Sequence, residues 1–329
     1  MFSVVIPLYN KAHTIIETLQ SVLAQEYQEF EVVIVDDGSS DGGMELVERQ
    51  FRDPRIRLIR QSNLGASAAR NRGVDIARYQ LIAFLDGDDL WLPGYLTAMK
   101  AAAEKFPDAG LYCCAGIVRY PDGSGYSRYS DRYRGVTQKV KFFESPAFFS
   151  HTSSNIVRKS RFYVAGGFPV GMRYFEDQVL FHKVALRSDV VFCPLPLAVQ
   201  RKGMGGHVSS VPFGAAYQDQ LKRTNMTYAY WAELEPPSRD PDFARSSVHD
   251  LRIQLATLMA GGDYAKVRDV LGHVDPRLLG RLGPLERRCY PQPVLRRPSN
   301  WALSWHRVLW RSRGYPRPTY RSDIGSTLL

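Results

Sequence analysis

Two short apolar runs in the first third of the sequence each end in a group of carboxylates. Asp36 and Asp37 follow the run 32–35, and the segment Asp86-Gly87-Asp88-Asp89 follows the run 81–85. A buried strand that ends in several carboxylates is unfavourable unless the charges meet water, a cation or a ligand. In open parallel sheets, ligands bind beyond the carboxyl ends of the strands. The sequence therefore predicts a site lined by carboxylates, and a diphosphate held through a divalent metal suits it.

Strand and helix signals alternate through residues 1–118. The helix signal is clearest in 11–25, where apolar residues recur with the helical period on one face. Predicted strands are Phe2–Leu8, Phe30–Val35, Arg55–Arg60, Gln80–Leu85 and Gly110–Val118, and predicted helices are Lys11–Gln25, Asp41–Gln50, Gly65–Arg78 and Pro93–Phe106. This alternation predicts an α/β fold with a mostly parallel central sheet and helices on both faces.

The rhythm changes after residue 118. The sequence there predicts a hairpin with loops over 119–150, a strand Thr152–Val157, a helix Glu176–Arg187, and two short strands around Pro194 and Pro196. From Phe213 the pattern is helical, with a helical hairpin over 245–274. We therefore expect a domain over 1–212, divided into halves 1–118 and 119–212, then a C-terminal helical extension over 213–280 and a basic tail over 281–329.

The charge of the chain is concentrated in its last fifty residues. The segment 281–323 holds ten arginines and only two acidic residues, which gives +8 of the net charge of +10. A predicted helix over 300–311 places Trp301 and Trp305 on one face, near several of these arginines. Tryptophan with arginine is typical of helices at anionic membranes. The alternative is a tail that packs on its own domain.

The remaining composition indicates a globular protein of a reducing compartment. The chain is 44% hydrophobic, and no apolar run reaches the ~18 residues of a membrane-spanning helix. The four cysteines show no C-x-x-C spacing, which favours the cytoplasm. We expect a cytoplasmic protein that binds the inner face of the plasma membrane through its tail.

The segment after the first predicted strand excludes two common phosphate-binding motifs. Pro7-Leu8-Tyr9-Asn10-Lys11 contains no G-x-G-x-x-G, and no G-x-x-x-x-G-K-[ST] occurs anywhere in the chain. A strand-to-helix turn capped by Asn10 remains the simpler alternative. In the next turn, Asp36 and Asp37 can accept hydrogen bonds from a base N–H and a ribose hydroxyl, whereas Asp41 suits a helix cap.

Three further segments each allow a functional and a structural interpretation. The alternating carboxylates of 86–89 suit Mg²⁺ or Mn²⁺ with ligand oxygens completing the shell, or an acidic turn. Glu176 and Asp177 suit a general base or favourable acids at a helix N-terminus. The small-residue helix after Asn63 either packs closely on the sheet or points Arg70 toward a phosphate or base. His207, in a basic glycine-rich loop, is either a metal ligand or a surface histidine.

Taken in order, these segments resemble the inverting glycosyltransferases of family 2, which have the GT-A fold. The resemblance covers about residues 1–210 and is carried by six segments: 4–10, 35–41, 63–73, 84–89, Gly166-Gly167-Phe168 and Glu176-Asp177. The spaced set is far more specific than any one member. The helical extension and the tail lie outside it.

The resemblance implies a role for each candidate residue. Asp177 would deprotonate the acceptor hydroxyl, and Asp88, with His207, would bind Mg²⁺ or Mn²⁺. Arg201 and Lys202 would stabilise the diphosphate, and Glu176 and Trp91 would lie on the acceptor side. The nucleotide would be bound by Pro7, Tyr9, Asn10, Asp36, Asp37, Asn63, Arg70 and Asp86.

The implied reaction is transfer of one sugar from a nucleotide-diphospho-sugar, most simply a UDP-sugar, to an acceptor hydroxyl with inversion. The chain lacks the Q-x-x-R-W run of processive members, which favours a single addition. The expected acceptor is a lipid-linked or cell-surface glycan precursor of polysaccharide or cell-envelope synthesis, and no nucleic acid is expected to bind. One alternative is a nucleotidyltransferase, which the missing glycine-rich loop disfavours; another is an inactive sugar-nucleotide sensor or membrane scaffold.

Overall fold

One sheet runs through the part of the chain that the computed structural model describes, namely residues 1–129, 133, 135–144, 151–203, 216–236, 240–292 and 319–321. The strands of this sheet are β1 Phe2–Leu8, β2 Phe30–Asp36, β3 Ile56–Arg60, β4 Leu81–Phe84, β5 Leu90–Trp91, β6 Leu111–Arg119, β7 Gly125–Tyr129, β8 Gln138–Val140, β9 Asn155–Arg158, β10 Val190–Arg201 and β11 Thr319–Arg321. The main path has the order β11-β7-β6-β9-β4-β1-β2-β3.

Helices lie on both faces of this sheet and continue after it. They are α1 Ile15–Leu23, α2 Gly43–Gln50, α3 Ala66–Ile76, α4 Tyr95–Lys105, α5 Lys159–Val164, α6 Glu176–Ala185, α7 Tyr217–Ala232, α8 Pro241–Gly261, α9 Tyr264–His273, α10 Pro276–Leu279 and α11 Pro284–Cys289. Two short 3₁₀ turns cover Phe142–Glu144 and Thr152–Ser154. No helix in the described ranges is long and apolar enough to cross a membrane.

The first half of the sheet is parallel, as predicted. β1 lies between β2 and β4 and pairs in parallel with both, and β3 pairs in parallel with β2. The register sets Leu8 beside Asp36, so the carboxyl ends of β1 and β2 meet at one edge. β1 and β2 are buried along almost their whole length, which explains their unbroken apolar runs. The predicted fold class is confirmed.

The second half of the sheet mixes directions. β9 inserts between β4 and β6 and is antiparallel to both, whereas β6 and β10 pair in parallel. The prediction of two short strands around Pro194 and Pro196 is wrong, because β10 is one strand. Proline has no N–H to donate to a ladder. The strand accommodates both prolines by register shifts between Cys193 and Ala198 rather than by a break.

The helical extension shares its core with the sheet. One continuous cluster of buried residues joins Val5 and Phe84 of the sheet to Leu255 of α8 and Val267 of α9. Phe243 of α8 lies at the centre of an aromatic group, with its ring centroid 4.9 Å from that of Phe143. The described part of the predicted extension is therefore packed as part of the same body. The predicted tail helix 300–311 lies outside the described residues.

Phe243→Ala tests this shared core. The ring is 1% exposed, so its removal leaves a cavity and should lower the free energy of unfolding by ~3–5 kcal/mol in urea denaturation. Leu285→Ala is the matched control, because Leu285 is 76% exposed and its truncation should change stability by less than ~0.5 kcal/mol. A near-native midpoint for Phe243→Ala would show that the extension does not contribute to the core.

Candidate functional site

The loop 86–89, which follows β4, is anchored through its backbone. Thr14 Oγ1 donates a hydrogen bond to the Gly87 carbonyl at 2.9 Å, and Thr18 Oγ1 of α1 donates to the Asp89 carbonyl at 2.9 Å. Arg201 at the end of β10 donates through Nε to the Asp88 carbonyl. The loop is therefore fixed between α1 and β10, with its carboxylates at the carboxyl edge of the sheet.

Two neighbouring carboxylates of this loop lie in different environments. Asp88 Oδ2 is 2.6 Å from Lys11 Nζ, yet burial, with the charges of Asp89 and Asp86, raises the pKa of Asp88. Asp89 is 2% exposed and accepts hydrogen bonds from Ser153 Oγ at 2.6 Å and from the Arg201 N–H at 3.1 Å. Although burial opposes it, the polar contacts of Asp89 lower its pKa. Asp89 is thus a structural carboxylate, and Asp88 carries charge that a further cation would offset.

Arg70 of α3 joins this loop to a second acidic segment. Its Nη2 is 2.6 Å from Asp86 Oδ1 and its Nη1 is 3.1 Å from Glu176 Oε1. The residue is 4% exposed, and its guanidinium lies over the ring of Phe168, 5.1 Å from the centroid. A buried cation with two carboxylate partners fixes both of them. Arg70 therefore sets the distance between the loop after β4 and the start of α6.

Asp177 lies beside this ion-pair network in the first turn of α6. Its Oδ2 accepts a hydrogen bond from Thr152 Oγ1 at 3.3 Å, and its Oδ1 accepts one from the Gln178 N–H at 2.7 Å. Burial and the neighbouring Glu176 raise the pKa of Asp177 to about 7. A carboxylate with a pKa near neutrality is suited to accept a proton from a substrate.

The backbone just before these acids is strained. Phe175 has a φ of 63°, a conformation that bulky residues rarely adopt. Its ring lies under the guanidinium of Arg223, whose carbon is 5.6 Å from the centroid, and Arg223 also donates to Gln178 Oε1. Such strain persists only where the surroundings over-determine it. Here it directs Glu176 and Asp177 toward the sheet edge.

Asp37 links the turn after β2 to the segment that precedes α3. Asp37 accepts hydrogen bonds from the backbone N–H groups of Leu64 and Gly65, both at 2.8 Å, and from Gln61 Nε2 at 2.7 Å. Gly38 has a φ of 78°, and a Cβ there would lie 3.0 Å from the Asn63 nitrogen, so the two loops touch. Asp37 therefore holds the start of α3 next to the turn after β2.

The turn after β1 is hydrogen-bonded to the turn after β2. Asn10 has a φ of 50°, and its Oδ1 accepts a hydrogen bond from the Ser40 N–H at 2.9 Å. Asp41 accepts hydrogen bonds from the Gly43 N–H and from the Ala12 N–H at 2.8 Å. The N-cap of α2 is Gly42 rather than Asp41, so Asp41 ties the turn after β1 to the start of this helix. Tyr9 remains 47% exposed. An exposed aromatic ring beside these polar turns is suited to contact a base.

The structure brings most of the predicted nucleotide-binding residues to one edge of the sheet. Pro7, Tyr9 and Asn10 lie at the end of β1, Asp36 and Asp37 at the end of β2, and Asn63 beside them. Arg70 and Asp86 are joined by an ion pair at the end of β4. These residues thus meet at the carboxyl ends of β1, β2 and β4.

Two predicted residues have different surroundings from those expected. Trp91 is 2% exposed, stacks on Tyr95 with 4.2 Å between ring centroids, and donates its indole N–H to the Ser153 carbonyl at 2.7 Å. This burial contradicts its placement on the acceptor side. Arg201 is also buried and pairs with Glu17 of α1, so it positions the loop 86–89. Lys202 lies next to it, and His207 lies outside the described residues.

Sequence reasoning missed several residues that shape the site. Lys11, Thr14, Thr18 and Ser153 contact the loop 86–89, and His151 Nε2 lies 3.4 Å from Asp89 Oδ2. The threonines occur four residues apart, which places them on one face of a helix. That spacing was the only available signal, since Ser153 and His151 come from a distant loop.

A divalent cation fits the chemistry of Asp88. Within the described ranges, no group of three or more His, Cys, Asp or Glu residues is arranged to hold a metal ion. Asp88 offers hard carboxylate oxygens, and burial together with the negative charges of Asp89 and Asp86 raises its pKa. Mg²⁺ and Mn²⁺ commonly take one or two protein carboxylates and complete their shell with phosphates and water. The donor set therefore fits a metal that a bound diphosphate would help to coordinate.

A protein-family comparison identifies the family of this chain. The model described as "Glycosyl transferase family 2" matches residues 3–177. An uncharacterized protein of Mycobacterium tuberculosis is 33% identical over 215 residues, which cover 61% of this chain and 67% of that protein. The amylovoran biosynthesis glycosyltransferase AmsB of Erwinia amylovora is 42% identical over 133 residues. That match covers 37% of this chain and 43% of AmsB, so the chain spans less than half of that relative's length.

Solved structures of two glycosyltransferases share the fold. TarS residues 1–349 of S. aureus, in complex with UDP-GlcNAc, superposes with a TM-score of 0.70 at 18% identity, covering 100% of this chain and 98% of that one. The mannosyltransferase PcManGT of Pyrobaculum calidifontis, in complex with GDP-Man and Mn²⁺, superposes with a TM-score of 0.56 at 19% identity, covering 95% and 84%. The match to TarS also covers the helices α7–α11, which follow β10 in the chain.

Arg70→Met tests the ion-pair network. The change leaves two partly buried carboxylates without their shared cation, so it should lower the free energy of unfolding by ~3–5 kcal/mol in urea denaturation. Arg72→Met is the matched control, because Arg72 lies on the same helix and is exposed. Equal, small effects of the two substitutions would show that Arg70 does not hold Asp86 and Glu176 together.

Proposed function

Since the chain belongs to glycosyl transferase family 2, we propose that it transfers one sugar from a UDP-sugar to an acceptor hydroxyl with inversion at the anomeric carbon. The observation that carries the proposal is Asp177, whose pKa is raised to about 7 and whose neighbour Glu176 is joined through Arg70 to Asp86. Asp177, the proposed proton acceptor, would thereby be held near the carboxyl end of β4.

The donor nucleotide would lie across the ends of β1, β2 and β4. Tyr9 offers an exposed ring, and Asp36 and Asn63 offer polar groups beside the turn that Asp37 closes. The choice of uridine is supported by TarS, whose structure was solved in complex with UDP-GlcNAc. Asp86, held by Arg70 but still partly exposed, would contact the ribose.

Asp177 would act as the general base. Its carboxylate takes the proton of the acceptor hydroxyl as that oxygen attacks the anomeric carbon. The bond from this carbon to the diphosphate oxygen breaks on the opposite side, and the electron pair leaves with the nucleoside diphosphate. Attack opposite the leaving group inverts the configuration. Glu176 cannot serve equally well because it is paired with Arg70 at 3.1 Å.

Several residues of the chain would stabilise the nucleoside diphosphate as it leaves. Asp88 would hold Mg²⁺ or Mn²⁺, which would neutralise negative charge on the nucleoside diphosphate. Thr14, Thr18 and Arg201 fix the backbone of the loop that carries Asp88. Lys202, next to Arg201, would add positive charge on the diphosphate side. His207 stays a proposed ligand from the sequence alone.

We propose a lipid-linked glycan as the acceptor, at an anionic membrane surface. The support comes from the sequence of the segment 281–323, which has ten arginines and a spacing of Trp301, Trp305, Val308 and Leu309 that predicts one face of a helix. Each basic residue near such a surface contributes about 1 kcal/mol of binding. Most of this segment lies outside the described residues, so its composition carries the proposal.

Asp177→Asn should retain UDP binding but lower the transfer rate by ~10²–10⁴-fold, because only the proton acceptor is removed. In the wild type, kcat should fall as the pH drops below about 7, where Asp177 becomes protonated. Calorimetry with UDP and turnover of a panel of nucleotide sugars measure the two effects. Wild-type turnover by Asp177→Asn would refute the assignment, and UDP binding without turnover by the wild type would favour a sensor.

The same pKa makes a prediction for stability. The folded-state pKa of Asp177 lies above its ordinary value, so the folded protein binds this proton more tightly and loses stability as the pH rises from about 4 to about 7. Asp177→Asn should therefore be more stable than the wild type at pH 8, and the difference should shrink toward pH 4. Asp108→Asn, at an exposed position, should show no such trend. Thermal unfolding across this pH range measures it.

Truncation after Gln292 tests the membrane proposal, because it keeps Glu286 and its ion pair with Arg252 while removing most of the arginines. The full chain should sediment with anionic liposomes at low salt and be released as salt increases. The truncated chain should stay in the supernatant. Equal partitioning of both chains would remove the membrane proposal and leave the catalytic one intact.

A further inference from the structure

Lys11 forms an ion pair with Asp88, the carboxylate that is expected to bind the metal. Its Nζ is 2.6 Å from Asp88 Oδ2, and the side chains of Lys11 and Asp88 are only 17% and 9% exposed. The two residues are 77 positions apart in the sequence, so the fold, rather than local geometry, brings them together. An ammonium group in contact with a carboxylate supplies the positive charge that a metal would otherwise supply there.

The backbone on both sides of this ion pair is fixed. Thr14 holds the Gly87 carbonyl, and Arg201 holds the Asp88 carbonyl. A Cβ on Gly87 would lie 3.3 Å from the Pro7 carbonyl oxygen and 3.7 Å from Lys11 Cβ, so the two loops pack closely. The flexible part is the side chain of Lys11, whose four-carbon stem can move its ammonium group while the backbone stays in place.

We propose that Lys11 holds Asp88 while no donor is bound and moves to the donor diphosphate when a divalent cation takes its place. The proposal rests on the proposed function, because it assigns a second role to the same donor site. Lys11 is thereby a positioning residue that makes binding of the metal and of the nucleoside diphosphate cooperative.

Charge explains why the two binding events are linked. A divalent cation at Asp88 and the Lys11 ammonium repel each other when both contact one carboxylate. A diphosphate brings negative charge that can pair with both cations at once. Without it the metal must displace Lys11 unaided, so the metal alone binds weakly. Linkage requires that the metal improve diphosphate affinity by the same factor.

The test measures manganese binding in the absence of any sugar or turnover. Free Mn²⁺ is followed by electron paramagnetic resonance at pH 8, with and without UDP, for the wild type, Lys11→Met and Lys11→Gln. Lys100→Met is the control, because Lys100 is 41% exposed and its contacts are the helix neighbour Glu104 and the ring of Tyr27 rather than an acid of the loop 86–89. Circular dichroism and thermal unfolding verify that the variants are folded, and Asp88→Asn verifies that the signal depends on Asp88.

Both Lys11 variants should bind Mn²⁺ alone about 10-fold more tightly than the wild type, within the usual range of coupling between sites. The factor by which UDP improves Mn²⁺ affinity should fall by a similar amount. Lys100→Met should behave as the wild type.

Unchanged or weaker Mn²⁺ binding by folded Lys11→Met and Lys11→Gln would overturn the inference, as would an unchanged effect of UDP. Failure to detect Mn²⁺ binding in any variant, with or without UDP, would overturn it as well. The proposed function has a separate readout: if the wild type does not bind UDP at all, the donor site itself is wrong. If it binds UDP and only the Lys11 effect is missing, the transferase proposal stands.

Discussion

A buried guanidinium holds the two halves of the site together. Arg70 pairs with Asp86 after β4 and with Glu176 at the start of α6, and removing such a cation from buried carboxylates costs several kcal/mol. The spacing between the loop 86–89 and the first turn of α6 therefore depends on one side chain. Burial and the charge of the neighbouring Glu176 raise the pKa of Asp177 to about 7. The two adjacent acids therefore differ in their partners. Glu176 is paired with Arg70, whereas Asp177 accepts hydrogen bonds from Thr152 and Gln178.

The carboxylates at the strand ends likewise differ from one another in their partners. Asp37 closes a turn, Asp89 is fixed by Ser153 and the Arg201 backbone, and Asp88 contacts Lys11, whose long side chain can adopt other conformations. Only a group whose partner can move is able to exchange it for a ligand. Asp37 and Asp89 are thus fixed by the fold, whereas Asp88 and Asp177 are the carboxylates that we propose to bind the metal and to accept the proton. A preorganised transferase site requires groups held in this way.

Local patterns in the sequence predicted the fold and which candidate residues lie at the strand ends, but they did not predict the contacts that these residues make. Apolar runs ending in Asp36 and Asp86 were sufficient, because strands and their carboxyl ends are local features. Arg70 and Glu176 are 106 positions apart, and no local signal reports such a pair. Trp91 was placed wrongly since a tryptophan beside an acidic loop suits a core as well as a binding surface. The prolines of β10 were read as breaks, whereas neighbouring strands kept the ladder continuous.

We propose that Asp177 promotes attack from the side opposite the leaving diphosphate. The most direct measurement is proton NMR of the sugar first released when the enzyme hydrolyses α-linked UDP-sugars, observed before the anomers equilibrate. If Asp177 acts in this way, the β-anomer appears first and the α-anomer grows only by mutarotation. Initial release of the α-anomer would show retention and contradict the assignment of Asp177 as the base of a single displacement.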